Sequence, residues 1–144
     1  GYTNALARAG LDFRQQWLFR GNFEMESGFA AAAHFMSLSE RPTAIFAAND
    51  ESAIGFLSGL RQHGLTCPRD ISMVGFDDLG VAAHYTPPLT TMRQPRELLG
   101  RMAAEMLIDI LEDAEHRRGP MRIVLNSELI VRESTAHPPS TTKG

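Results

Sequence analysis

A single cysteine, Cys67, in 144 residues leaves no partner for an intrachain disulfide and too few thiols for most cysteine-based metal sites, which fits a reducing cytoplasm. Long apolar runs are also lacking. The longest, such as Phe29 to Ala33, meets a polar side chain within a few residues, far short of the roughly 20 that span a bilayer, so no membrane partner is expected. Residues Gly1 to Arg8 hold no basic stretch followed by an apolar one, and no secretory signal is read there. Basic residues are not gathered either. Apart from Arg117 and Arg118 they are spread along a chain of net charge −3, whereas neutralising phosphates requires clustered Lys and Arg. By itself the chain is a poor DNA binder.

Catalytic signatures are equally scarce. His34, His63, His84, His116 and His137 have no metal-ligand spacing, and no G-x-S-x-G or H-E-x-x-H motif is present. Gly75 and Gly80 do not form a phosphate-cradling loop. Asp77 and Asp78 are neighbours, and in an extended segment adjacent side chains point to opposite faces, which does not make an acid/base pair. Neither a metal nor a cofactor is expected, and an enzyme reading has little support.

What is present is an ordinary globular composition, 43% hydrophobic and 22% charged, enough for one domain with a core. Short apolar runs alternate with longer segments of helical period, the signature of βαβ units and of an α/β fold with a parallel sheet. Tyr2 to Ala9 reads as the end of a helix stopped by Gly10, and Trp17 to Arg20 as a brief strand. Phe29, Ala32, Ala33 and Met36 follow the i, i+3, i+4, i+7 spacing, predicting a helix over Glu26 to Leu38. Thr43 to Ala47 is a β-rich run too short for a helix, and Ala53, Phe56, Leu57 and Leu60 give a helix from near Glu51 until Gly64.

Ile71 to Phe76 reads as a buried strand, and Asp77 to Pro88 as a loop leaving the sheet. Pro95 opens a helix with Leu99, Met102, Ala103, Met106 and Ile110 along one face, ended by His116 to Gly119. Met121 to Leu125 and Glu128 to Val131 read as two strands, followed by a mobile Ser/Thr/Pro tail.

In open parallel sheets ligands bind beyond the carboxyl ends of the strands, which directs attention to the polar residues after each apolar run. Phe23 follows Trp17 to Arg20, Asn49 and Asp50 follow the run ending at Ala48, and Asp77 and Asp78 follow Phe76. An aromatic face, an amide and a carboxylate suit a polyhydroxylated or heteroaromatic small molecule. Each also has a structural alternative. Asn49 or Asp50 can cap the next helix, Asp77 and Asp78 can belong to a turn, and Phe23 can be core.

Four segments in order, Arg41 to Leu65 (RPTAIFAANDESAIGFLSGLRQHGL), Pro68 to Asp78 (PRDISMVGFDD), Thr86 to Pro95 (TPPLTTMRQP) and Leu129 to Ser134 (LIVRES), resemble the C-terminal half of LacI/GalR regulators. The resemblance runs from Gly1 to Thr135, and Gly21 to Phe29 also looks like that family's segment after its second core strand. It implies a periplasmic-binding-protein-like type I fold, two subdomains joined by three crossovers with a small-molecule effector in the cleft. On this basis residues 1–94 are a partial C-terminal subdomain without its first strand. Residues 95–119 form the helix returning to the N-terminal subdomain, 120–135 the final strands of the C-terminal subdomain, and 136–144 a flexible tail.

The resemblance carries three roles over: Phe23 stacks on the effector, Asn49 is the polar residue of the AND motif, and Asp77 grips effector hydroxyl or ring nitrogen groups. Glu24 follows the aromatic as in the family's purine-responsive branch and is a fourth candidate, hinting at a nucleobase beside the sugar or sugar acid otherwise expected. Family members also carry a helix-turn-helix, a hinge helix and most of an N-terminal subdomain. Operator DNA would be reached through those segments, the regulator would be a homodimer, and a sheet lacking its first strand should expose an apolar edge and pair with another copy.

The leading expectation is therefore the effector sensor of a cytoplasmic transcription regulator, in which a ligand biases closure of the two subdomains. A periplasmic sugar-binding protein of a transport system shares the fold and is the alternative; Pro87 to Thr91 (PPLTT) and LIVRES lean away from it.

Overall fold

A computed structural model describes residues 1–112 and 122–138. Helix α1 spans Tyr2–Arg8, α2 Met25–Ser37, α3 Asp50–Gln62, α4 Gly80–His84 and α5 Arg96–Glu112; the strands are β1 (Ala44–Phe46), β2 (Ser72–Asp77), β3 (Thr90–Arg93) and β4 (Glu128–Ile130). The sheet order is β1-β2-β3-β4. β1 pairs with β2 and β2 with β3 in parallel, and β4 adds to β3 antiparallel, with Thr91 opposite Ile130. The α/β fold with a mostly parallel sheet is thus as the sequence predicts.

Local chemistry sets the helix ends. Gly10 (φ 68°) and Gly64 (φ 73°) take the left-handed conformation that closes α1 and α3. At each, the next amide reaches back to a carbonyl of the last turn, Leu11 N to Leu6 O at 2.9 Å and Leu65 N to Leu60 O at 3.3 Å.

The core lies between α2, α3 and one face of the sheet. Ala32, Phe35, Ala53, Phe56, Leu57, Leu60, Ile71, Met73 and Leu89 are buried together, and Phe35 meets Phe56 edge to face at 5.6 Å. Glycines let α2 and α3 touch backbone to backbone. A Cβ on Gly28 would stand 2.0 Å from Ser52 O, and one on Gly55 2.0 Å from Met25 O. On the opposite sheet face Phe46 is largely exposed and Val74 and Phe76 are half-buried.

The segment after β4 locks the sheet from below. Ser134 is fully buried: its Oγ donates to Met73 O at 2.6 Å and accepts from Thr90 N at 2.8 Å, while its carbonyl accepts from Met73 N at 2.8 Å and from the Cys67 thiol at 3.2 Å. Burial pushes that thiol up to about 11, partly offset by a backbone contact at Met73, so Cys67 stays protonated near neutrality.

Several expectations change. Trp17 to Arg20 is not a strand. Gln15–Trp17 form a 3-10 turn, and Trp17 Nε1 donates to Glu40 O at 3.0 Å, while no strand among the described residues runs alongside to receive the backbone. The segment Asp77 to Pro88 is not wholly loop, since Gly80–His84 turn into α4 and bury Ala82 in the core. Of the strand expected over Met121 to Leu125, residues 122–125 are irregular and Met121 lies outside the described residues, as do His116 to Gly119 and 139–144. The expected tail starts out pinned, because Ala136 N donates to Ser72 Oγ at 3.0 Å and Ala136 O accepts from the same hydroxyl at 3.2 Å.

Helices α1 and α5 contain no buried residue. An open groove of about 390 Å³ runs between α5 and the segment before β4, lined by Leu99, Met102, Met106, Ile123 and Leu125 among others.

Candidate ligand site at the carboxyl ends of the strands

β1, β2 and β3 run in one direction, so the residues that follow them share one rim of the sheet. Asn49 stands after β1, Asp77 ends β2 and Gln94 follows β3. Phe23 is drawn to the same rim, because Asn49 Nδ2 donates to its carbonyl at 2.7 Å. Phe23 is 62% exposed, which places it outside the core and leaves its ring free for stacking.

Asn49 is the N-cap of α3. Its Oδ1 accepts from Ser52 N at 3.0 Å and from Ser52 Oγ at 2.5 Å, so the amide oxygen is engaged and one side-chain N–H is left over. Asp77 lies at the edge of burial, and Gln94 Nε2 donates to its Oδ1 at 2.5 Å; Oδ2 has no partner among the described residues. Glu24 caps α2 from an extended backbone, and its carboxylate accepts from Asn22 Nδ2 at 2.6 Å. That bond engages Glu24 locally, within its own loop.

The sequence leaves the cap of this helix open between Asn49 and Asp50; Asn49 takes it, and Asp50 serves elsewhere. Asp50 is fully buried, with Oδ1 accepting from Thr91 Oγ1 at 2.6 Å and Oδ2 from Leu79 N at 2.8 Å. It ties the start of α3 to β3 and to the turn after β2. The space it occupies exists because residue 75 is glycine: a Cβ there would meet Asp50 Oδ1 at 2.3 Å.

Asp78, the second acid of the pair, faces inward. Its oxygens accept from Arg93 Nε and from Arg132 Nη2, each at 2.6 Å. Burial works against ionising this carboxyl, but the hydrogen bonds from Arg132 and then Arg93 outweigh it and hold it below the usual carboxylate range. No spacing rule connects Asp78 to Arg132, 54 positions away; only the shared fold does.

Strain gathers on this rim. Among the described residues the non-glycine positions with positive φ are Phe23 (70°), Asp77 (113°) and Asp78 (55°), all at or beside it. Each costs on the order of 1–3 kcal/mol, and such residues cluster where a ligand is gripped. Among the described residues no group of His, Cys, Asp and Glu is placed to hold a metal ion, and no helix is long and apolar enough to cross a membrane.

The sequence profile of the periplasmic binding protein-like domain matches residues 1–135. The HTH-type transcriptional repressor PurR of Vibrio campbellii is 38% identical over 134 residues, which are 93% of this chain and 40% of that protein. Among solved structures, the transcriptional regulator CelR in complex with cellobiose superposes with a TM-score of 0.86 at 38% identity, over 92% of this chain and 40% of its own. A LacI family regulator from Enterococcus faecium with bound ribose gives 0.80 at 30% identity, over 94% of this chain and 49% of its own. The chain therefore spans two fifths to one half of the proteins it resembles.

Proposed function

The chain belongs to the periplasmic binding protein-like domain family, and from that premise we propose that it is the C-terminal part of the effector-sensing domain of a LacI-type transcription regulator. The observation that carries the reading is the rim itself. Three strained, polar or aromatic positions converge at the carboxyl ends of parallel strands, where this architecture takes its ligands. Phe23 offers a stacking face and, among the described residues, Asp77 has an unpaired carboxylate oxygen and Asn49 a spare N–H. This set favours a small polyhydroxylated ligand, a sugar or sugar acid, and the cellobiose and ribose held by the two structural relatives support that choice. A nucleobase would call on Glu24 as well, whose Oε2 accepts from Asn22.

The domain division follows from the same reading. Residues 1–94 and 120–135 belong to one subdomain, and α5, which carries an apolar stripe through Leu99, Met102, Ala103, Met106 and Ile110 and is unburied here, packs against the other. The regulator works in the cytoplasm as a homodimer, reaches operator DNA through a separate helix-turn-helix and turns nothing over. For the dimer surface, the apolar residues of α3 are largely used by the core, whereas Val81 on α4 is 48% exposed and available.

Titrating the isotopically labelled chain with cellobiose, ribose, gluconate and a purine base tests the site. Amide shifts confined to Phe23, Asn49, Asp77 and Gln94 for one of these ligands are expected, and shifts only elsewhere would sink the site. Reading the gene in frame ahead of the Gly1 codon tests the class: a helix-turn-helix there is expected, and an export signal overturns the regulator.

A further inference from the structure

Asp77 and Asp78 are adjacent, identical in chemistry and both in left-handed backbone, yet their surroundings separate them. The Asp78 side chain is only 9% exposed and each oxygen takes a guanidinium, Arg93 on one side and Arg132 on the other. Arg132 is itself fixed, with Nη1 donating to Leu89 O at 2.8 Å and its backbone N to Thr90 Oγ1 at 2.9 Å. Arg96 Nη2 reaches Asp78 O at 3.4 Å, and Asp78 N donates to Thr91 Oγ1 at 3.4 Å. Among the described residues the Asp77 side chain has Gln94 alone.

We propose that Asp78 is a positioning residue for the rim: gripped by Arg93 and Arg132, it holds the backbone turn that presents Asp77, and it does not touch the ligand. The inference rests on the rim being the ligand site. Two successive non-glycine residues of positive φ persist only where their surroundings over-determine them. Around Asp78 those surroundings are two ion pairs and a backbone bond to Thr91, which is in turn held by Asp50.

The same cluster joins three parts of the chain. Arg93 stands opposite Asp77 in the β2–β3 register and immediately precedes Gln94, so fixing Arg93 fixes where Gln94 meets Asp77. Arg132 follows β4. The ends of β2 and β3 and the segment after β4 thus share one partly buried carboxylate. Ligand affinity at Asp77 should depend on charges that lie outside the ligand's reach, as the grip of a binding group depends on the partners that orient it.

Asp78→Asn preserves shape and removes the charge, and the side-chain amide signal of Gln94 in the labelled chain reports the Asp77 contact with or without a ligand. We expect that signal to shift while the fold-wide amide pattern is retained, and affinity for cellobiose or ribose, whichever binds, to fall about tenfold. Arg132→Gln should act more strongly than Arg93→Gln, because the Arg132 side chain is 16% exposed and that of Arg93 48%. If Asp78→Asn fails to fold, Arg93→Gln gives the same readout with a smaller shift. A Gln94 signal unmoved by these variants overturns the proposal even when no sugar binds. An affinity lowered by Asp77→Asn and untouched by Asp78→Asn overturns it too, with the rim intact. An affinity lowered by neither sinks the rim reading, and the Gln94 signal then decides the positioning role alone.

Discussion

Helices α3 and α5 are both apolar-rich and at least 13 residues long, yet eight residues of α3 are buried and none of α5. Propensity does not separate them. α3 meets α2 through glycines and contributes Ala53, Phe56, Leu57 and Leu60 to the buried cluster that it shares with α2 and β2, so its stripe has a complementary surface. α5 shows its side chains to an open groove. Apolar periodicity makes a helix able to pack, and a partner decides whether it does, because most helical stability in proteins comes from tertiary contact.

The strongest way to break the contrast is to push α2 and α3 apart. Gly55→Val puts side-chain atoms where Met25 O already stands, so the loss should reach or exceed about 3 kcal/mol, the upper end of overpacking costs. Urea unfolding followed by circular dichroism measures it, and a midpoint equal to the parent's would contradict the close contact. Next in size is Asp50→Ala, which strands the Thr91 hydroxyl and the Leu79 amide in the interior. A loss of about 2–3 kcal/mol is expected by the same measurement, and a neutral result would show that water replaces both bonds.

Asn49→Ala removes a cap and the tether to Phe23 together. It should lower stability by about 1 kcal/mol and broaden or move the Phe23 and Glu24 amide signals, whereas unmoved signals would place the loop under some other control. The smallest effect belongs to α5. Ile110→Gln should change stability by less than about 0.5 kcal/mol in this chain, as at any exposed site. A loss above about 1 kcal/mol would mean that α5 finds a partner in solution and would erase the contrast with α3.

How much of this was legible beforehand follows the same division. α2, α3, β1 and β2 emerged within a residue or two of expectation because their signals are local: a 3.6-residue stripe, a short apolar run, a terminating glycine. The family resemblance named Phe23, Asn49 and Asp77, and the structure sets them along one rim. It was silent on their supports. Asn49 and Asp50 are both good capping types, and only the approach of Thr91 and Leu79 shows which one is buried. Arg132 sat in a quoted motif without a role, because its partner Asp78 is remote in sequence. Trp17 to Arg20 misled because β propensity describes a side chain's fit to a sheet and says nothing of whether a neighbouring strand is there.

Ser134 brings time into the picture. The hydroxyl that closes β2 onto β3 belongs to a residue made 61 positions after Met73. At about 5–20 residues per second, roughly 3 to 12 s of synthesis separate them. Over that interval the Met73 backbone groups, and over its last 44 positions the Thr90 amide, lack the partner that Ser134 supplies and stay available to water or to a neighbouring nascent chain. The hazard of mispairing is therefore greatest on a crowded polysome, and slowing translation upstream of residue 134 should lengthen the exposure without altering a single contact of the finished fold.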